Sequence, residues 1–139
     1  MPVKKWLIFA LALCLLLLTA CGAEETSYDW GITLTAENLT PTGCTLVCTQ
    51  TGGEIGDLYT GYDWFLTKET WNNWKQVYPA QSYDIPGGVL GIQKEGITEW
   101  ELSYPELEPG NYRACRTIMG YTEQGLMVKK LFWAEFTIQ

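Results

Sequence analysis

This 139-residue chain contains no histidine, but paired carboxylates could still act as acid and base. Histidine is the usual general base and a common metal ligand. The serines that follow residue 20 are Ser27, Ser82 and Ser103, and they have no imidazole to activate them as nucleophiles. No Asp- and Asn-rich stretch has the spacing of a calcium-binding loop. The sequence therefore predicts that the protein is not an enzyme and has no cofactor and no metal site.

Four carboxylates are the remaining candidates for acid–base chemistry. Glu99 and Glu101 alternate with Trp100 and Leu102, and acids in such a pattern usually form the solvated face of a strand. The other two are Asp57 and Asp63. A carboxylate-dependent hydrolase is one alternative function, and it requires two acids that converge in one cleft.

The first 20 residues have the pattern of an export signal. Lys4 and Lys5 precede an unbroken apolar run of 13 residues, from Trp6 to Leu18. A helix needs about 20 apolar residues to cross the hydrocarbon core of a bilayer. The run is therefore too short for a permanent membrane helix, and it is typical of a cleaved signal peptide.

The residues Leu18, Thr19, Ala20 and Cys21 resemble the bacterial lipobox. In that motif a leucine, a small or hydroxyl residue, and Ala or Gly precede a cysteine that receives lipid. The resemblance implies that the first three residues are recognised by the signal peptidase and that Cys21 carries a diacylglycerol. One acyl chain anchors a protein only marginally, so two chains meet the need. The predicted location is the cell membrane, lipid-anchored and facing outside the cytoplasm.

Removal of the leader would leave one acidic domain. Lys4 and Lys5 are lost, so 7 of the 9 basic residues remain with all 16 acidic residues, and the net charge changes from −7 to −9. Nucleic-acid binding depends on Lys and Arg at phosphates, so nucleic acid is not an expected partner. The predicted organisation is a lipoprotein signal peptide (1–20), a lipidated cysteine with a short tether (21–29) and an immunoglobulin-like β-sandwich domain (30–139).

Residues 30–139 show the two-residue alternation and the turn signals of short β-strands. About seven strands bounded by Gly and Pro turns predict an all-β fold, an immunoglobulin-like antiparallel β-sandwich. A small closed barrel is the alternative. No segment has helical periodicity. The predicted strands are Trp30–Thr35, Cys44–Thr49, Gly61–Lys68, Trp74–Tyr78, Ile97–Tyr104, Tyr112–Ile118 and Leu131–Ile138. In the last of these strands, one face is predicted to consist of Phe132, Ala134, Phe136 and Ile138.

The turns carry two further predictions. Trp71 and Trp74 flank Asn72-Asn73, and Asn tolerates the positive φ of a two-residue hairpin turn, so the indoles are expected to face each other. The irregular segment 79–91 is expected to wrap an edge of the sandwich, and residues 38–43 are expected to form a turn.

Tyr112 follows a Pro-Gly turn and enters a late strand, as in a tyrosine corner, whose hydroxyl bonds back to the turn. Six segments, this one included, together resemble a family of bacterial immunoglobulin-like domains. The resemblance implies a small lipoprotein or extracellular module without catalytic residues. The segments are Thr40–Gly43, Leu46–Gln50, Trp74–Val77, Thr98–Glu101, Pro109–Arg113 and Trp133–Phe136.

Three cysteines fall in the domain: Cys44, Cys48 and Cys115. The first two are four residues apart in one strand, about 13 Å at roughly 3.3 Å per residue, whereas bridged Cα atoms lie within about 7 Å. Cys115 is three residues past Tyr112, so it is expected to point outward if Tyr112 points inward. A bridge from Cys115 to either of the others needs a bulge or adjacent strands. Buried free thiols are the preferred prediction.

Aromatic side chains are the feature that could support binding. The chain after the leader holds six Trp and eight Tyr, and such side chains anchor protein interfaces and stack on sugars. They could also cap the ends and edges of a small sandwich. The preferred hypothesis is a non-enzymatic interaction or structural module that contacts an extracellular protein. The alternative is a carbohydrate-binding module that presents Trp71, Trp74 and Tyr78 to a glycan.

Overall fold

The computed structural model describes residues 27–79 and 88–139. These residues fold into two antiparallel β-sheets that pack face to face, which confirms the predicted all-β sandwich. The predicted leader, the lipidation site and residues 80–87 of the segment predicted to wrap an edge lie outside the described residues. No helix in the described part of the chain is long and apolar enough to cross a membrane.

Nine strands are present in the described ranges. The smaller sheet has the order β1-β2-β7, and the larger sheet contains the other six strands. Strands β3 and β6 of the larger sheet were not predicted. They have three and two residues, which are too few to show an alternation. The strands are β1 Ile32–Thr40, β2 Gly43–Gln50, β3 Leu58–Thr60, β4 Phe65–Glu69, β5 Trp74–Tyr78, β6 Leu90–Gly91, β7 Ile97–Ser103, β8 Gly110–Tyr121 and β9 Met127–Ile138.

The central strand of the larger sheet is β8. Strand β9 pairs with it along its whole length, from Gly110 opposite Ile138 to Tyr121 opposite Met127. On its other side, β4 pairs with the first half of β8 and β3 with the second half, and β5 and β6 extend the sheet beyond them. Each of the two long strands has 12 residues. They form a platform about 40 Å long at roughly 3.4 Å per residue.

The inward side chains of both sheets fill the core. Leu46 and Cys48 of the smaller sheet are completely buried, as are Ala114 and Ile118 of the larger sheet. Complete burial of a leucine or isoleucine side chain contributes about 1.5–3 kcal/mol. The predicted apolar face of the last strand points into the core: Ala134, Phe136 and Ile138 are buried, and Phe132 is half-buried against the core.

The first strand is longer than predicted. The turn expected over residues 38–43 contracts to Pro41 and Thr42, and β1 continues through a bulge to Thr40. Asn38 adopts a φ of 51° at this bulge, and its side-chain amide donates a hydrogen bond to Oγ1 of Thr45 on β2. Asparagine tolerates this left-handed backbone conformation, so the strand bends without ending.

The expectation that Trp71 and Trp74 face each other was wrong. The amide of Thr70 donates to the carbonyl of Asn73 (2.7 Å), and Trp74 lies opposite Glu69. Trp71 and Asn72 therefore occupy the turn, one residue earlier than predicted. Side-chain hydrogen bonds explain the shift, because Thr70 Oγ1 donates to the same carbonyl and Asn73 Oδ1 accepts from the next amide. As a result the Trp71 side chain projects into solvent, 95% exposed.

Candidate functional site

Tyr112 is the third residue of β8, and its side chain is buried in the core, with 2% exposed. Its hydroxyl donates a 2.6 Å hydrogen bond to the carbonyl of Glu108 in the preceding turn. This is the bond that the tyrosine-corner prediction requires. The Tyr112 ring also stacks on Phe136, with ring centroids 5.7 Å apart. The residue therefore ties the turn to the core and stabilises the strand that organises the larger sheet.

The three residues predicted to bind a glycan do not share one surface. Trp71 stands at the hairpin tip. Trp74 lies on the outward face of the larger sheet, with its ring over Arg113. Tyr78 lies opposite the fully buried Leu66 and packs on Trp64, with ring centroids 5.3 Å apart. A register shift in the β4–β5 pairing separates the last two residues onto opposite faces. These residues therefore do not form a coplanar row.

Arg113 is held between two indoles on the outward face of the larger sheet. Its Cζ atom is 3.8 Å from the ring centroid of Trp74 and 4.7 Å from that of Trp133. Oε1 of Glu135 accepts hydrogen bonds from its Nε (2.9 Å) and Nη2 (2.7 Å). Each cation–π contact contributes about 0.5–1 kcal/mol at an exposed site. The guanidinium therefore fixes the orientation of both indoles, although Trp133 is 44% exposed.

An apolar surface continues from this cluster along the platform. Residues directly opposite each other on paired strands point to the same side of the sheet. Leu131 lies opposite Thr117 and Met127 lies opposite Tyr121, so these side chains point outward together with Trp133. Four of these side chains are between 38% and 59% exposed, and the others are half-buried. Isolated exposed apolar residues are ordinary, but contiguous patches of this kind mark interaction sites. We call this surface the aromatic face; its members are Tyr59, Phe65, Trp74, Met119, Tyr121, Met127, Leu131 and Trp133.

Charge is distributed unequally between the two outer surfaces of the sandwich. The ionic residues on the outward side of the larger sheet are Glu69, Arg113, Lys129 and Glu135, which sum to zero. The outward side of the smaller sheet carries Glu37, Glu99 and Glu101 and no basic residue. The last two are exposed, as predicted for a solvated strand face. The aromatic face is therefore the neutral surface of an acidic protein.

Among the residues that the structure describes, the carboxylates do not form a buried catalytic pair. Asp57 and Asp63 are both exposed and lie in different loops. Glu54 and Glu123 border one open cleft together with Lys94, and both carboxylates are exposed to solvent. General acids are usually tuned by burial, which these side chains lack. No group of three metal-binding side chains occurs within the described ranges.

All three thiols of the domain are free and buried. Cys44 and Cys48 point into the core from β2, whereas Cys115 points outward from β8, between Phe65 and Trp133. A bridge between Cys115 and either of the others is therefore not formed. Burial raises the pKa of Cys48 to about 11, although the Arg116 charge opposes the shift. The thiols are thus neutral at physiological pH and poor nucleophiles.

A second arginine, Arg116, points into the core and is 3% exposed. Its Nη1 donates to the carbonyl of Gly61 (2.7 Å), and its guanidinium lies 4.3 Å from the ring centroid of Trp100. Its Nε has no hydrogen-bond partner within the described residues. Burial lowers the pKa of Arg116, and the charge of Asp63 partly offsets this effect. Arg116 joins the two sheets and anchors the loop before β4.

Comparison with known proteins identifies the family. Residues 26–133 match the family model of the bacterial Ig-like domain. The chain belongs to this family. No curated protein and no solved structure matches the chain. The bacterial Ig-like domain accounts for the sandwich fold and favours a non-enzymatic interaction or structural module over an enzyme.

The aromatic face of this Ig-like domain was not predicted from the sequence. Trp74, Arg113 and Trp133 are far apart in the chain, and only the pairing of β5, β4, β8 and β9 brings them together. One signal was present nonetheless. Alternate residues of the last strand read Lys129, Leu131, Trp133 and Glu135, so the middle of its outward side is apolar where a solvated strand would be polar.

Proposed function

We propose that this protein is a lipid-anchored module of the outer cell surface, without enzymatic activity, that binds another protein through its aromatic face. The lipobox-like residues Leu18–Cys21 support the membrane anchor and the location outside the cytoplasm. Family membership supports an interaction or structural module.

The observation that supports protein binding most directly is the composition of the aromatic face. Protein interfaces are enriched in Trp, Tyr, Met and Arg at their centres, and they are depleted of charge there. The aromatic face supplies the Trp, Tyr and Met, and the Arg is Arg113, which lies between Trp74 and Trp133 and is held in place by contact with both. Because the guanidinium already orders the indole, the indole loses less conformational freedom on binding.

Oxidative footprinting with mass spectrometry tests this proposal. The full-length protein is labelled in cell membranes and, separately, after purification in detergent. Trp133 is expected to be labelled several-fold more slowly in membranes, because a bound protein covers it. Ile97 serves as the internal control, since it is 56% exposed on the outward side of the smaller sheet.

Two results would contradict the proposal. Equal labelling of Trp133 in both samples would mean that nothing covers the aromatic face. If addition of envelope polysaccharide to the purified protein restored the protection, the carbohydrate-binding alternative would replace protein binding.

A further inference from the structure

The outward side chains of β9 form a self-complementary series. Lys129, Leu131, Trp133 and Glu135 follow each other on one side of the strand. A cation therefore lies at one end, an anion at the other, and two apolar residues lie between them. When a second such strand is laid over this one in the opposite direction, Lys129 faces Glu135 and Leu131 faces Trp133.

We propose that the partner bound by the aromatic face is a second copy of this chain. The inference rests on the proposed function and specifies the partner. The two copies pack face to face around a two-fold axis that lies in the interface, perpendicular to β9 and level with residue 132. Such an interface is isologous, so each contact occurs twice. If the two β9 strands ran in the same direction, Lys129 would face Lys129 of the second copy and Glu135 would face Glu135, and both pairs would repel.

Both charged groups of this series are available for an intermolecular pair. Glu135 uses Oε1 for Arg113, and Oε2 forms no hydrogen bond within the described residues, while its side chain is 58% exposed. Lys129 is exposed and has no salt bridge in the part of the chain that the structure describes. Each dimer would therefore gain two Lys129–Glu135 pairs without breaking the Arg113–Glu135 pair.

Long-range charge selects the same surface. The chain carries a net charge of −7, so two copies repel each other when they approach through most of their surface. The aromatic face has no net charge, and the acidic outer side of the smaller sheet points away from it. Association through the aromatic face thus keeps Glu37, Glu99 and Glu101 of the two copies far apart.

The face is also large enough for a stable dimer. The six strands of the larger sheet contain 39 residues, which at roughly 3.4 Å along the strand and 4.8 Å between strands give its outer side on the order of 600 Å². A standard specific interface buries about 800 Å² per partner. The outer side of the larger sheet is therefore large enough for a specific dimer, whose interfaces start at about 600 Å² per partner.

Sedimentation equilibrium of the full-length lipoprotein in density-matched detergent tests the proposal through a charge exchange. The wild-type protein is expected to dimerise. Lys129→Glu places a negative charge opposite Glu135 of the second copy. Glu135→Lys places a positive charge opposite Lys129 of the second copy. Each variant alone is expected to dimerise at least about tenfold more weakly. An equimolar mixture of the two variants is expected to regain dimers, because the mixed dimer contains one native Lys129–Glu135 pair and one pair of reversed sign.

The control variant is Lys75→Glu, which makes the same charge change at an exposed residue on the opposite side of β5 from Trp74 and is expected to leave dimerisation unchanged. The proposal is overturned if the wild-type protein is monomeric, if Lys129→Glu has no larger effect than the control, or if the mixture associates no better than its components. A monomeric protein whose Trp133 is still protected in membranes would overturn only the second copy as partner. If Trp133 is labelled equally fast in membranes and in detergent, the proposed function itself is overturned.

Discussion

Replacement of Cys21 by serine is expected to abolish the attachment of lipid to the protein. The thiol is the group that would take up the diacylglycerol, and a serine hydroxyl is a far weaker nucleophile at neutral pH. Each buried CH₂ of a lipid chain contributes about 0.8 kcal/mol to membrane binding, so loss of both chains removes the whole anchor. Metabolic labelling with an alkyne fatty acid, followed by immunoprecipitation, measures the incorporated lipid.

The matched control for this experiment is Cys14→Ala. Cys14 lies within the predicted signal peptide, so its replacement should leave lipid incorporation unchanged. Wild-type labelling of the Cys21→Ser variant would contradict the predicted anchor. Equal loss of label in both variants would show that export, rather than the acceptor thiol, had been damaged.

Truncation of Arg116 to alanine is expected to destabilise the sandwich by about 3–5 kcal/mol, since it leaves a cavity in the core and removes the donor for the Gly61 carbonyl. Arg116→Met is expected to lie within about 1.5 kcal/mol of the wild type. Methionine nearly fills the same volume, and its neutral side chain avoids the cost of burying a guanidinium. Urea unfolding followed by circular dichroism gives both free energies of unfolding.

The two substitutions at Arg116 separate packing from hydrogen bonding. If methionine destabilises the protein as much as alanine does, the bond to Gly61 and the contact with Trp100 hold the sheets together. If methionine is tolerated, the long aliphatic stem of Arg116 supplies most of the stabilisation.

Local sequence patterns predicted the strands well where one face is buried. The alternation in β7 and β9 identified inward residues such as Leu102 and Phe136, because a half-buried strand must alternate. The prediction failed where alternation is too short, as in β3, or where local side-chain bonds reposition a turn, as at Thr70 and Asn73.

The candidate site was harder to predict, because it depends on contacts between distant parts of the chain. Trp74 was singled out for its turn, but its actual neighbour is Arg113, which comes from another strand. Trp133 was assigned no role in binding, although the alternation of β9 already placed it opposite the inward residues. The register between paired strands determines which side chains meet on such a surface. The alternation within one strand does not specify its register with a strand about forty residues away.

Site-specific photo-crosslinking in living cells tests the central claim, that the aromatic face binds protein, most directly. A photoreactive amino acid replaces Leu131 on the aromatic face or, as a control, Thr35 on the outward side of the smaller sheet. We predict a discrete protein adduct from position 131 and none from position 35, with twice the mass of the lipoprotein if the partner is a second copy. Absence of any adduct from position 131, or equal adducts from both positions, would contradict the assignment of the aromatic face as a protein-binding surface.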